Sequence, residues 1–268
     1  MPITTLDGVI AGMLPPRDFM KIGGTMEAAG QMHSFFYGTG VPAAAAQPSP
    51  GMSGAALTSY AGQLPWTNPS NGLSYLARLQ ASCSLAGSLF LCDRLWHNSG
   101  IAVTTLTEQT INSVAFPARD INGLTSGTGI LIGLEVYGAT TNAGAIANIS
   151  YKYTNSAGDI DKVATIASFP ATAAAGTFVP FPLAAGDLGV RTVQSITLGT
   201  SLVTGSVHLV AYRILSKLDI MVANIGQSVD PITSGFVRLH DNTVPFLTFI
   251  PTATTACVVN GQMIVTQG

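Results

Sequence analysis

The residues that most often do chemistry are few in this chain and poorly spaced for it. Four histidines, His33, His97, His208 and His240, are scattered over 268 residues. None stands in a His-x-x-x-His, Glu-x-x-His or Cys-x-x-Cys spacing, the patterns that gather metal ligands on one element. They read as surface or hydrogen-bonded histidines, with no metal and no cofactor implied. For nucleophilic catalysis neither Gly-x-Ser-x-Gly nor Ser-x-x-Lys occurs, and Ser201, which follows Gly199, lacks the second glycine of a nucleophile elbow. The acids are dispersed; Asp159 and Asp161 come closest, in a turn cluster where carboxylates usually bond the local backbone. A hydrolase such as a capsular depolymerase would need Asp159, Asp161 or Asp187 paired across about 5 to 10 Å. Gly127-Thr128-Gly129 with Gly133 has the look of a phosphate loop, but it opens an Ile/Leu strand where anion binding needs a helix N-terminus, so it reads as a turn. No catalytic, cofactor-binding or metal-binding residue is assigned, and the chain is not expected to be an enzyme.

One segment is dense in polar and aromatic character: Cys92-Asp93-Arg94-Leu95-Trp96-His97-Asn98-Ser99-Gly100. Either Trp96 is a platform for sugar, flanked by Asp93, Arg94 and His97, or it packs inside while Asp93 and Arg94 orient loops. A chain poor in charge uses its ions to fix geometry, which favours the second. The sequon Asn148-Ile149-Ser150 falls within an expected strand and reads as chance.

The elements that would position these residues follow from composition. Lys plus Arg number 11 and Asp plus Glu 13, so 9% of residues are charged, against about 25% in an ordinary soluble domain. Apolar residues, at 47%, suffice for a substantial core. A net charge of −2 without any Lys/Arg cluster argues against direct nucleic-acid contact. No apolar run approaches the roughly 18 residues of a membrane span, and the N-terminus reads as lacking a signal peptide. Three cysteines, at 83, 92 and 257, read as thiols of a reducing cytoplasm, with Cys83–Cys92 pairing left open.

From residue 28 to 77 there is no Asp, Glu, Lys or Arg, and eight of the 15 prolines lie in the first 70 residues. Residues 1–72 therefore read as an extended, mostly irregular N-terminal arm, with a short helix over 17–32. Phe35, Phe36, Tyr37 and Trp66 are its candidate anchors, expected to bury apolar area on a neighbouring subunit. Residues 73–268 read as an all-β body. Ser74–Ala81 and Leu89–Trp96 are expected as a first hairpin, with a helix as rival, and further strands over 107–116, 130–137, 147–154, 162–166, 177–182, 190–198, 206–215, 236–239, 244–250 and 257–266. So many short strands separated by Gly/Asn/Asp/Ser turns imply a jelly-roll-like β-sandwich.

The stretches Leu91–Gly100, Ile149–Gly158 and Ala184–Ile196 resemble virion structural proteins of tailed bacteriophages, especially jelly-roll capsid cement or decoration proteins, over roughly residues 74 to 215. The resemblance is one of strand-and-turn phrasing. It implies a non-enzymatic capsid-surface protein, made in the host bacterial cytoplasm, whose partner is the major capsid protein and whose state is a homo-oligomer, a trimer by preference. Tail, baseplate or neck proteins, and carbohydrate- or receptor-binding virion proteins, remain the alternatives.

Overall fold

The computed structural model describes residues 3, 5–24, 28–235 and 237–268. Its elements are α1 (Leu6–Ala11), β1 (Arg17–Ile22), β2 (His33–Ser34), β3 (Gly40–Val41), β4 (Ala55–Ala56), β5 (Ser74–Cys83), β6 (Gly87–His97), β7 (Gln109–Thr110), β8 (Leu131–Gly138), β9 (Ile146–Asn155), β10 (Lys162–Phe169), β11 (Phe178–Pro180), β12 (Val190–Thr197), β13 (Ser206–Ile220), β14 (Gln227–Val229), α2 (Pro231–Ser234), β15 (Arg238–Leu239), β16 (Pro245–Pro251) and β17 (Val258–Gln267). The fold is all-β and antiparallel, in the sandwich class that the alternating patterns imply. It comprises two compact units: unit 1 is Met1–Ala45, Ser59–Asp93 and Ile214–Gly268, and unit 2 is Ala46–Thr58 and Arg94–Arg213. The chain passes between them inside β6 and again inside β13.

Unit 2 is a chain folded double and rolled up. Of the eight strands from β6 to β13, the first neighbours the eighth, the second the seventh, the third the sixth and the fourth the fifth. Rolling that hairpin gives two sheets in the orders β11-β8-β13-β6 and β10-β9-β12-β7, which is jelly-roll connectivity. Between them lies one core, to which β8 and β13 give Ile132, Leu134, Val136 and Leu209, and β9 and β12 give Ile149, Tyr151, Val193 and Ile196. The expected strand over 107–116 shortens to β7 because Asn112 adopts a left-handed φ of 45°. Its neighbours still run beside β12, with Ser113 N donating to Val193 O.

Unit 1 is a second sandwich. One sheet has the order β14-β5-β17-β1-β3, with β15 also on β5, and β5 and β17 pair from Val259 opposite Cys83 to Gln267 opposite Ser74. The other includes β2, β16 and residues 87–93 of β6. Phe19, Leu79, Val259 and Met263 meet Leu89, Leu91, Leu247 and Phe249 in its core.

Several expectations are corrected. Residues 17–22 form a strand, β1, with the period-two burial of Phe19 and Lys21, and Gly23-Gly24 end it. Residues 74–83 and 87–97 are strands, but not a hairpin: β5 pairs with β17 and β6 with β16, so the turn between them changes sheets. Cys83 and Cys92 consequently lie in different sheets, and all three cysteines are buried thiols. Of the expected strand 236–239, Phe236 lies outside the described residues and the rest is β15.

The arm is irregular over most of residues 42–73, yet a boundary at 72 is not the one its contacts draw. Its aromatic side chains are consumed by the chain itself. Phe35 N donates to Leu247 O, and the Phe35 ring lies 6.2 Å from that of Phe249. Phe36 is wedged between Tyr37, Tyr60 and Phe246, with ring centroids 5.5, 5.5 and 5.8 Å away. Lys21 ties the segment down from the sheet, its ammonium donating to the carbonyls of Gly38, Pro42 and Ala43 at 3.1, 2.9 and 3.3 Å. Burial pushes the Lys21 pKa down to about 8.

Phe36→Ala should therefore cost about 3–5 kcal/mol of stability, as truncation of a fully packed phenylalanine does. Denaturant unfolding monitored by tryptophan fluorescence checks this; a loss under about 1 kcal/mol would show that the ring does not hold the arm.

Candidate functional site

The structure separates the residues nominated as interface anchors. Phe35 and Phe36 are each 1% exposed, so neither is available to a neighbouring subunit. Tyr37 and Trp66 are half-buried, and Trp66 Nε1 donates to Asn68 Oδ1 at 3.0 Å. The physical reason is that unit 1 covers the uncharged arm with its own sheet.

The 92–100 segment is interior. Trp96 is buried, donates Nε1 to Ser53 O at 3.0 Å and packs 5.5 Å from Phe116, which removes it as a sugar platform. Asp93 accepts from Val244 N at 2.9 Å in unit 1. In unit 2, Arg94 meets Glu135 at 2.6 Å with both side chains fully buried, and its Nε donates to His97 Nδ1 at 3.2 Å. Arg119 donates to Leu57 O at 2.7 Å and Arg94 O at 3.2 Å. Glu135 and His208 are paired residues on β8 and β13, while their neighbours Leu134, Val136, Val207 and Leu209 enter the core. The ionic cluster thus occupies the opposite face of that sheet.

Desolvation pushes the His97 pKa down to about 2, aided by the Arg94 and His208 charges, and desolvation lowers His208 to about 4. Both histidines are neutral. The cluster holds ions in place. Among the described residues, no group of three or more His, Cys, Asp or Glu side chains could hold a metal ion.

The acids reserved for a hydrolase do come together in part. Asn155 Nδ2 donates to Asp187 Oδ1 at 2.7 Å and to Asp159 Oδ2 at 3.0 Å. Lys162 lies 3.7 Å from each carboxylate. The arrangement is a knot that ties loops. The Tyr153 hydroxyl donates to Asp187 Oδ2 at 2.6 Å and accepts from Ala184 N at 2.9 Å. Tyr153 and then Asn155 hold Asp187 below the usual carboxylate range, the wrong direction for a general acid.

This knot belongs to a surface that the sequence did not single out. The loops β7–β8, β9–β10 and β11–β12 meet at one end of unit 2. Gly129 N donates to Leu188 O at 2.8 Å, and Ser156 N donates to Gly189 O at 2.9 Å. The first loop closes on Asp120, which accepts from the Asn122, Leu124 and Gly127 amides and the Ser126 hydroxyl at 2.9, 2.8, 3.2 and 2.6 Å. Burial works against the Asp120 carboxylate, but the Ser126 hydroxyl and these amides outweigh it and keep its pKa low. Gly127, at φ +86°, has no room for a side chain: a Cβ would stand 2.3 Å from Val190 O.

From these fixed loops Ile121, Leu124, Ile160 and Leu188 project at 58–69% exposure. A shallow depression of about 360 Å³ beside them is lined by Ala118, Gly123, Leu124, Thr125, Ser126 and Arg191. A second exposed aliphatic group lies in unit 1, where Met221, Val222 and Ile225 follow β13 and Ile232 stands on α2 at 89% exposure. Asn224 N donates to Cys83 O at 2.7 Å, and Asp230 caps α2 through Ile232 N and Thr233 N. From residue 220 to 237 Asp230 carries the one charge. Isolated exposed aliphatics are ordinary, whereas groups of four on tethered loops are the mark of contact surfaces.

No family model matches the chain, and no curated protein matches it. Among solved structures, it overlaps the VP2 subviral particle of infectious bursal disease virus at 10% identity and TM-score 0.20, covering 96% of this chain and 80% of that one. The Gt strain of the same virus gives 9% identity, TM-score 0.21, and coverage of 94% and 81%. Particles described as T=1, derived from that virus, give 10% identity, TM-score 0.19, and coverage of 95% and 77%. Overlaps of this quality carry no functional weight.

The neutral histidines set a pH dependence. The unfolded chain takes up protons on His97 and His208 near pH 6.5, which the native state refuses until about 2 and about 4. Stability is therefore full above pH 6.5 and falls as pH drops below it, by about 1.4 kcal/mol per pH unit for each histidine. Urea unfolding at pH 7, 6 and 5 should show this slope, and His208→Gln should flatten it by about one proton. An unchanged slope in the variant would mean that His208 is protonated in the fold.

Proposed function

We propose that this protein is a non-enzymatic structural component of a tailed-bacteriophage virion, a cement or decoration protein that binds the major capsid protein shell. The reading rests on one observation: two groups of exposed aliphatic side chains, each on segments fixed by hydrogen bonds, in a chain of which only 9% of residues are charged. A lattice component needs more than one contact face, and permanent faces are depleted in Lys, Glu and Asp because desolvating them is expensive. The jelly-roll connectivity of unit 2 and the phage-like phrasing of residues 74 to 215 agree with it. The Met221, Val222, Ile225 and Ile232 group of unit 1 is the face for the shell. Cement stabilises a shell by binding its intact form and not its broken one.

The test mixes purified protein with emptied heads of the phage that encodes it, reading occupancy by co-sedimentation and head stability by calorimetry. Saturation with a raised melting temperature is expected. The double variant Met221→Asp/Ile225→Asp, altered at exposed positions, should lose at least tenfold in affinity, about 1.4 kcal/mol. Wild-type protein that ignores heads, or a variant that binds them unchanged, overturns the assignment. Ring or tube assembly without head binding moves the protein to the tail or neck.

A further inference from the structure

The surface at the end of unit 2 carries a charge that nothing around it answers. Unit 2 has six cations: Arg94, Arg119 and Arg213 are buried, Lys152 pairs with Glu108 at 2.9 Å, and Lys162 sits between Asp159 and Asp187. Arg191 is exposed, makes no ion pair among the described residues, and lines the depression beside Leu124, with Leu188 nearby in sequence. The matching surface is therefore aliphatic with one carboxylate.

The chain itself carries such a surface on α1. Thr5 caps this helix, accepting from Gly8 N at 3.1 Å. It is seated on β17, with Thr266 Oγ1 donating to Val9 O at 2.8 Å and Gln267 N donating to Gly12 O at 2.9 Å, so Val9 is its buried side. Leu6 and Ile10 are 68% and 58% exposed, and Asp7 is exposed and makes no ion pair among the described residues. At 3.6 residues per turn, Leu6, Ile10 and Asp7 share an arc of about 100°.

We propose that a second copy of the chain docks α1 on the loop surface of unit 2, with Asp7 against Arg191 and with Leu6 and Ile10 covering Leu124 and Leu188. This names the partner of a surface that the previous section reads as a contact face, and it rests on that reading. Two different patches meet, so the contact is heterologous, closing into a ring when the rotation closes, a trimer being the smallest. One short helix makes a small contact, so the association is weak in solution and gains from multivalency on a lattice.

Light scattering and sedimentation velocity of the full chain between about 1 and 200 µM, a range suited to weak contacts, should show reversible self-association that weakens with salt. Asp7→Arg and Arg191→Asp should each weaken it about tenfold or more, since each sets like charges together. The double variant should restore it. A wild type that stays monomeric, single variants without effect, or a double variant that fails to recover each overturn the proposal. Arginine in the first turn of α1 opposes the helix dipole. Ile10→Ser and Leu124→Ser, which leave charge unchanged, are therefore measured as well and should weaken association too. Head binding, read through Met221 and Ile225, is independent of these positions, so self-association can fail while the virion reading survives.

Discussion

A guanidinium and a carboxylate withdrawn from water cost several kcal/mol each unless geometry returns it, and the Arg94–Glu135 pair imposes that demand on unit 2. Both ions lie on the face of the β6–β8–β13 sheet turned away from its core, and both side chains are fully buried. That sheet is therefore covered on two faces, and the polar groups on it are withdrawn from bulk water. Arg94 uses His97 as an acceptor, Arg119 uses the Arg94 and Leu57 carbonyls, and the histidines are held neutral beside a fixed positive charge. Residues 46–58 are bound in through the same bonds. What looks in composition like an unattached Pro/Ala/Gly tail is a structural part of unit 2 over that stretch.

The same economy governs the outside. With 9% of residues charged, and Arg94, Glu135 and Asp120 among those turned inward, solvent meets mostly neutral side chains. Asp120 accepts from three backbone amides and a hydroxyl, and Asp187 from the Tyr153 hydroxyl and the Asn155 side-chain amide; these bonds lower both pKa values and tie the loops down. Rigidity of this kind lowers the entropy lost on association, so modest aliphatic contacts suffice for binding.

Much of this was legible in the sequence. The Val/Ile/Leu/Thr-rich runs of β8, β9, β12, β16 and β17, bounded by Gly, Asn, Asp and Ser turns, mark their positions within a few residues, whereas β13 runs five residues past its expected end at 215. Trp96 was rightly placed inside. The pairing of β5 was not legible, since Ser74–Trp96 reads as two strands and a turn whichever sheet each joins; only the rest of the chain supplies β17 as the better partner. β1 was mistaken for helix because the segment 17–32 lacks proline, although Phe19 and Lys21 already alternate. Phe35 and Phe36 read as anchors on a neighbouring subunit, whereas they bury against this chain's own Phe249 and Phe246; an aromatic side chain in an uncharged arm carries no sign of whose sheet receives it.

Part of the exposed surface did leave a signal, in the residue before the aliphatic at Ile121, Ile160, Leu188 and Ile225. Asp120-Ile121-Asn122-Gly123, Asp159-Ile160, Asp187-Leu188-Gly189 and Asn224-Ile225-Gly226 all place Asp or Asn ahead of a large aliphatic residue inside a turn. Asp120 and Asp187 turn inward and bond through their side chains, Asp159 accepts from Asn155 at an exposed position, and Asn224 bonds through its backbone amide. A backbone fixed by the first residue turns the second outward, where an isoleucine or leucine gains nothing for folding.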